Sequence, residues 1–162
     1  VSVNGAVVAE LDKKSAESYF DVRVEDIANT VVELDMELTP RLTIAHTKVE
    51  EDLNQVAVER GPLVYCVETM DSEAKDLGRI MIPVNAKFEE SKMTIKGHEL
   101  VTLETEGLTF EDDEWYDEDA LYQTLDDTEV KPVKFRMIPY FAWDNRGMGE
   151  MIIWLPAFWG KY

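Results

Sequence analysis

The sequence has few of the side chains that build disulfides and zinc sites. Its 162 residues include one cysteine, Cys66, and two histidines, His46 and His98. A single cysteine excludes an intramolecular disulfide, and these three side chains do not supply a zinc site of ordinary ligand spacing. We therefore expect no cofactor within this chain.

Basic residues are also scarce. Sixteen Lys and Arg stand against 34 Asp and Glu, which gives a formal net charge of -18. This charge repels phosphate backbones and anionic membrane surfaces. No apolar run approaches the ~20 residues that cross a bilayer. The sequence thus predicts neither nucleic acid nor a membrane as a partner.

The chain begins with "VSVNG", without an initial methionine or a basic and apolar leader. Because these residues already have the pattern of a strand, we interpret the chain as a piece of a longer protein. With 45% hydrophobic residues, it can bury one good core or two small ones.

Apolar and polar residues alternate with a period of two along most of the chain. Asn4-Gly5 predicts a tight hairpin turn, and "YFDVRVE" and "VVELDMEL" predict half-buried antiparallel strands. Thr39-Pro40 breaks the pattern, because proline cannot donate to a ladder and restrains the preceding residue. We place a boundary there. Residues 1–38 are candidate strands from the end of a preceding β-sandwich, and residues 39–162 form a C-terminal β-sandwich.

The second segment contains several further strands. The run of residues 63–67 is apolar at every position, which predicts a central strand covered on both faces. "DSEAKDLG" predicts one short helix, with Asp71 as its cap and Gly78 at its end. "VKFRMIPYFAW" and "EMIIWLP" are expected to close the chain as a hairpin. The predicted fold is all-β, an antiparallel sandwich of jelly-roll type with little helix.

The loop "DNRGMG" joins these last two segments. We interpret it as a hairpin connection in which Asn145 and either Gly147 or Gly149 adopt positive φ angles. The guanidinium of Arg146 is suited to bidentate bonds with a carboxylate. We expect that carboxylate elsewhere in the protein, with a neighbouring domain as one candidate location.

Two long motifs carry a resemblance to a known family. "PRLTIAHTKVEEDLNQVAVERGPLVYC", continued by "VE", and "IPYFAWDNRGMGEMIIWLP" resemble the C-terminal region of glycoside hydrolase family 127. This β-L-arabinofuranosidase-like family comprises bacterial enzymes that act on plant polysaccharides. The resemblance covers roughly residues 1–70 and 135–156.

The resemblance implies that the chemistry lies outside this chain. In the family, an N-terminal α/α barrel carries a cysteine nucleophile that is bound to zinc together with other cysteines and a glutamate. This sequence encodes no helical barrel. Cys66 lies in the C-terminal motif and is therefore not the family's nucleophile. A thiol within an apolar strand is also expected to be buried and inert.

Acidic clusters offer two other candidate sites. Glu33, Asp35 and Glu37 resemble paired catalytic carboxylates, but a solvated strand face explains them better. The acidic segment of residues 111–119 supplies the oxygen ligands that calcium prefers, but its spacing matches no calcium loop. We interpret it as a solvated loop. Both histidines are expected at the surface.

The aromatic residues bear on function most directly. Sugar-binding modules expose coplanar Trp or Tyr rings, on which the apolar face of a sugar stacks. We favour a core role for most of the four tryptophans and expect Trp115 to be exposed. The C-terminal "MIIWLPAFWGKY" is too crowded with apolar side chains for all of them to enter one core. Phe158 and Trp159 are therefore candidates for an interdomain or dimer seam.

These observations lead to one functional hypothesis and two alternatives. The hypothesis is a non-catalytic accessory domain of a β-L-arabinofuranosidase-like glycoside hydrolase, supporting the zinc-containing α/α barrel of the same chain or a homodimer. The first alternative is a carbohydrate-binding module with its own sugar affinity, and the second is an independent hydrolase. The candidate interface or sugar contacts are Arg146, Trp115, Phe158 and Trp159.

Overall fold

The computed structural model describes residues 1–11, 19–36, 38–110, 121–122, 124 and 128–160. Glu37, Trp115 and the acidic segment of residues 111–119 lie outside this part. The chain divides into two compact units, residues 1–38 and 39–162. The strands are β1 (Ser2–Val3), β2 (Ala6–Val7), β3 (Val32–Glu33), β4 (Pro40–Ile44), β5 (Gln55–Arg60), β6 (Leu63–Glu68), β7 (Ile82–Pro83), β8 (Glu89–Ile95), β9 (His98–Thr109), β10 (Lys131–Pro139), β11 (Met151–Ile152) and β12 (Leu155–Phe158).

The first unit is built around a three-stranded sheet in the order β2-β1-β3. Asn4 and Gly5 have φ angles of 49° and 79° and join β1 to β2, which confirms the predicted tight turn. The Asn4 N–H donates to the carbonyl of Val31 at 2.9 Å, and the Val31 N–H donates to Asn4 Oδ1 at 2.9 Å. The turn is thereby fixed beside the third strand.

The two half-buried strands predicted in this unit are wrong in extent. Residues 20–25 are not a strand, and β3 contains only two residues. Phe20, Leu34 and Met36 are exposed. Alternation of apolar residues yields a half-buried strand only where a neighbouring strand and a core face receive it. Among the described residues of this unit, β1 is the only strand that pairs with β3.

The second unit contains a nine-stranded sheet. Its strands follow the order β7-β12-β5-β6-β10-β9-β8, with β4 beside β5 and β11 beside β6. The pairs are antiparallel except β7 with β12, which run parallel. The described residues include 3-10 turns but no α-helix. The prediction of an all-β fold with little helix is confirmed. The jelly-roll arrangement is compatible with this connectivity and stays a prediction.

Strand β6 lies at the centre of the sheet, between β5 and β10. Tyr65 and Val67 point into a large apolar cluster, and Cys66 joins a second cluster with Ile138. Successive side chains of a strand point to opposite faces, so the two clusters cover opposite sides of β6. The prediction of a central strand covered on both faces is confirmed.

The predicted helix between β6 and β7 is replaced by two 3-10 turns, Thr69–Asp71 and Leu77–Arg79. The side chain that caps the second turn belongs to Asp76, whose Oδ1 accepts from the Gly78 N–H at 2.8 Å. Gly78 lies within that turn, and Asp71 is engaged by Arg146 instead.

Within the described ranges, no helix is both long and apolar enough to span a membrane.

The predicted closing hairpin is also wrong. Strand β10 pairs with β9 and β6, β11 pairs with β6, and β12 pairs with β5 and β7. A period of two identifies strands but does not specify their partners, which depend on the connecting segment. Residues 140–150 connect two strands that both pair with β6. Before them, Ile138 of β10 lies opposite Cys66, and after them, Ile152 of β11 lies opposite Val67.

Candidate functional site

Residues 140–150, named the aromatic loop below, join β10 to β11. Strand β10 ends at Pro139, and a 3-10 turn, Tyr140–Ala142, follows. The expected continuation of the strand to Trp143 is therefore absent. Ala142 is buried, whereas 64% of Phe141 is exposed. The positive φ angle, 59°, belongs to Asp144 and not to the predicted asparagine or glycines. Aspartate tolerates this conformation because its side chain is short and polar.

Arg146 of this loop contacts two carboxylates, and we name Glu68, Asp71 and Arg146 the charged clamp. Nε of Arg146 donates to Glu68 Oε2 at 3.1 Å. One terminal nitrogen donates to Asp71 Oδ1 at 3.0 Å and contacts the sulfur of Met93 at 3.3 Å. The other terminal nitrogen donates to both carboxylates. The planar guanidinium thus bridges the end of β6 and the following turn.

The charged clamp is largely removed from water. The side chain of Arg146 is 16% exposed, and those of Glu68 and Asp71 are each 5% exposed. Buried ions are tolerated only when other groups satisfy them. The Asp144 N–H supplies one such bond to Glu68 Oε1 at 2.9 Å. The bond to Asp71, together with the bond to Glu68, raises the pKa of Arg146 although burial opposes this.

Further bonds fix both ends of the aromatic loop. Nδ2 of Asn145 donates to the carbonyls of Ala142 and Trp143 at 3.2 and 3.1 Å. At the other end, the Glu150 N–H donates to Thr69 Oγ1 at 3.0 Å, and the Thr69 N–H donates to the Glu150 carbonyl at 3.1 Å. The loop is therefore held by polar contacts on both sides of the charged clamp.

The carboxylate partners of Arg146 lie in its own unit, not in a neighbouring domain. Sequence reasoning did not identify either partner. The sequence pattern assigns Asp71 to a helix cap and indicates no partner for Glu68. One signal for Glu68 is present in the sequence. It directly follows an apolar run that is predicted to be buried on both faces, and an acidic side chain in such a place needs a partner. Pairing across more than 70 residues has no local pattern.

Cys66 is buried, as predicted. Burial, reinforced by the negative charge of Glu68, raises the pKa of its thiol to about 12, although Arg146 acts in the opposite direction. This thiol is therefore protonated at neutral pH and is a poor nucleophile. In the described part of the chain, no three His, Cys, Asp or Glu side chains are grouped to hold a metal ion.

The predicted core role for most of the tryptophans is wrong for the described ones. Trp143 is 37% exposed, Trp159 is 68% exposed, and Trp154 is half-buried. Trp159 follows the last residue of β12, where no later strand covers it in the described range. Phe158, within β12, is half-buried and packs against Gly160. His46 and His98 are exposed, as expected.

A cleft of about 610 Å³ lies beside the aromatic loop. It runs between this loop and the turn that joins β8 to β9. Its lining residues are Ile95, Lys96, His98, Glu99, Leu100, Phe141, Ala142 and Asn145. Ile95 and Ala142 also belong to the second apolar cluster. The cleft therefore combines an apolar floor with hydrogen-bonding side chains at its edges.

A second cleft, of about 740 Å³, is lined mainly by charged side chains such as Glu73, Lys134 and Arg136. Several of these groups already serve the fold. Glu73 Oε2 accepts from the Lys134 N–H at 3.3 Å, and Arg136 pairs with Glu104 at 2.8 Å. This cleft is a mixed-charge surface with more acidic than basic lining residues.

Comparison with known proteins identifies relatives of this chain. Residues 40–156 match the "Glycoside hydrolase family 127 C-terminal domain". The "Non-reducing end beta-L-arabinofuranosidase" of Bifidobacterium longum subsp. longum is 32% identical over 135 residues, which are 82% of this chain and 20% of that protein.

Solved structures give the same result. A structure described as "Glycoside hydrolase" is 40% identical, with a TM-score of 0.78, over 96% of this chain and 25% of that chain. A family 127 β-L-arabinofuranosidase from Geobacillus stearothermophilus T6 is 31% identical, with a TM-score of 0.67, over 75% of this chain and 18% of its own. This chain therefore spans a quarter or less of these relatives, and it belongs to glycoside hydrolase family 127, whose C-terminal domain it contains.

Proposed function

We propose that this chain is a non-catalytic accessory domain of a β-L-arabinofuranosidase-like glycoside hydrolase that acts on plant-type polysaccharides. The names of two relatives, both described as β-L-arabinofuranosidases, support the β-L-arabinofuranosidase-like activity of the parent enzyme. The match to a C-terminal domain, over at most a quarter of the relatives' length, supports a separate catalytic part. In this proposal the catalytic part is an α/α barrel of the same polypeptide, and it carries the zinc.

The observation that carries the accessory role is an apolar rim at one end of the main sheet. We define the apolar rim as Ile44, Leu53, Val84 and Trp159, which are 65%, 47%, 37% and 68% exposed. These residues come from segments that the sheet brings together. Ile44 pairs with Val56 of β5, and β5 pairs with β12.

Backbone bonds connect the rest of the apolar rim. Asn54, next to Leu53, accepts from the Ala157 N–H at 2.8 Å, and the Val84 N–H donates to the Phe158 carbonyl at 3.1 Å. Exposed apolar groups at the end of one sheet favour contact with another protein surface. The strong negative charge of the chain opposes contact with a second copy. We therefore assign the barrel as the first partner of the apolar rim and a homodimer as the second.

The proposed role is tested by an activity assay on the purified chain. An aryl β-L-arabinofuranoside is incubated with this chain and, separately, with a full-length family member as the positive control. We expect chromophore release only from the full-length enzyme. Release by this chain that persists in Cys66→Ala would establish an independent hydrolase and overturn the accessory role.

A further inference from the structure

The cleft beside the aromatic loop has two walls that are each fixed by bonds within the chain. One wall is the turn between β8 and β9, in which Lys96 and Gly97 have φ angles of 47° and 85° and Ile95 pairs with His98. The other is the aromatic loop, held by the charged clamp. A site whose walls are already ordered loses little conformational entropy when it binds a ligand.

The floor and one edge of the cleft are apolar. Ile95 and Ala142 are buried in the second cluster, and Leu100 packs against it. Phe141 stands beside this floor with 64% of its surface exposed. Strand β10 ends at Pro139, and Phe141 lies in the 3-10 turn that follows. This turn directs the ring outward. An exposed ring beside an apolar floor is suited to the apolar face of a sugar.

Hydrogen-bonding groups surround this floor. Because Nδ2 of Asn145 donates to the carbonyls of Ala142 and Trp143, its Oδ1 is the atom that remains as an acceptor. Within the described ranges, that oxygen accepts no hydrogen bond from the protein. His98 is exposed at the opposite wall, where its imidazole can donate and accept. These groups match the alternating donors and acceptors of hydroxyl groups.

The charges in the cleft favour a neutral ligand. Lys96 and Glu99 both line it, so the lining carries one charge of each sign. An ionic ligand would meet one opposing charge for each attractive one. The volume, about 610 Å³, lies within the range of small-molecule sites. A concave site with one exposed ring is better suited to bind a sugar than to bind the flat surface of another protein.

We propose that this cleft binds a neutral sugar ring, which stacks on Phe141 and is hydrogen-bonded by His98, Glu99 and Asn145. The site goes beyond the accessory role, because an accessory domain needs no sugar affinity of its own. Only the choice of arabinose as the first probe rests on the proposed function. In this site the aromatic loop contacts the sugar. The charged clamp holds the aromatic loop in place and does not itself contact the sugar.

The test is a titration of the isotopically labelled chain with L-arabinose and, in parallel, with D-glucose, followed by amide chemical shifts. We expect millimolar binding, with shifts confined to the cleft, at Gly97, His98 and Ala142. Phe141→Ala should weaken binding about tenfold, whereas Phe141→Tyr should retain it because the ring remains. Trp159→Ala is the matched control, since it removes an exposed aromatic ring that does not line the cleft.

The outcomes separate this inference from the proposed function. Absence of shifts with both sugars at tens of millimolar, or shifts that persist unchanged in Phe141→Ala, would overturn the sugar site. Binding of glucose without arabinose would support the site but count against an arabinose-specific parent. Binding of arabinose at the cleft supports the site, and this result stands even if the activity assay overturns the accessory role. Thermal unfolding of each variant verifies that it is folded.

Discussion

Arg146 and Glu68 are joined by a hydrogen bond from Nε to Oε2 of 3.1 Å, although 78 residues separate them in the sequence. The bond connects the aromatic loop to the end of the central strand β6. Apolar packing alone would leave such a loop free to slide, since dispersion contacts are non-directional. A bidentate charged contact fixes its orientation. The aromatic loop, which contains Phe141, is therefore anchored by an ionic contact in the interior.

The first prediction concerns the charged clamp. Arg146→Met should destabilise the second unit by about 3–5 kcal/mol, because it leaves two carboxylates buried without a counter-ion. Urea unfolding at neutral pH measures the change. Arg146→Lys should restore only part of the loss, since an ammonium group cannot reproduce the planar, bidentate geometry.

An exposed ion pair provides the control for this prediction. Arg41 pairs with Glu59 at 2.8 Å, but the Arg41 side chain is 61% exposed. Arg41→Met should change the free energy of unfolding by at most about 1 kcal/mol. Equal effects of the Arg41 and Arg146 substitutions on the free energy of unfolding would contradict the prediction. They would show that burial does not make the loss of Arg146 more destabilising.

Cys66 should be inert in the folded protein. Because the thiol is buried and its pKa is raised to about 12, native protein should not react with a thiol reagent until denaturant is added. Rapid labelling of the native chain would contradict the observed burial.

The same thiol predicts a pH dependence of stability. Its pKa is about 12 when folded and 9.0 in the reference state, so the folded state retains the proton longer than the unfolded state. The contribution of Cys66 to stability is therefore complete below pH 9 and declines as the pH rises towards about 12. Relative to Cys66→Ala, the wild type should lose stability across this window. A difference in unfolding free energy that stays constant with pH would contradict the prediction.

Gly107 marks a close approach within the main sheet. A Cβ at this position would lie 2.6 Å from the Met81 carbonyl oxygen and 3.0 Å from the Phe135 ring. Gly107→Ala should therefore cost about 1–3 kcal/mol through overpacking, measured by thermal or urea unfolding. Gly149→Ala is the control, because its Cβ would meet Thr69 at an ordinary 3.5 Å. It should be neutral or slightly stabilising.

The last prediction concerns the C-terminal segment. If the apolar rim and the neighbouring Phe158 cover a homodimer seam, the isolated chain should self-associate at high concentration despite its negative charge. Phe158→Ser with Trp159→Ser should then weaken this association. Sedimentation of both proteins measures it. Trp159→Ser alone is the cleaner variant, since Trp159 is 68% exposed whereas Phe158 is half-buried within β12. A wild type that stays monomeric would exclude a homodimer seam at this segment, and a Trp159 variant that unfolds would show that Trp159 stabilises the fold.

Several features could be predicted because their causes are local. Asn4-Gly5 forms the expected turn because only a few residue types adopt two successive positive φ angles. The apolar run in β6 requires cover on both faces, and Cys66 is buried with it. The alternation in residues 20–25 failed as a predictor, because the period of a segment does not supply the strand that it must pair with.

The all-β character of the chain, its central buried strand and its family follow from periodicity, turn residues and long motifs, because each of these is written in consecutive residues. Three other features emerge only when the chain is folded: β10 and β11 both pair with β6, Arg146 pairs with Glu68 and Asp71, and Phe141 faces a cleft. These contacts join segments more than 40 residues apart. Their stability comes from burial and charge pairing after the sheet has assembled, and no local pattern of side chains encodes either in advance.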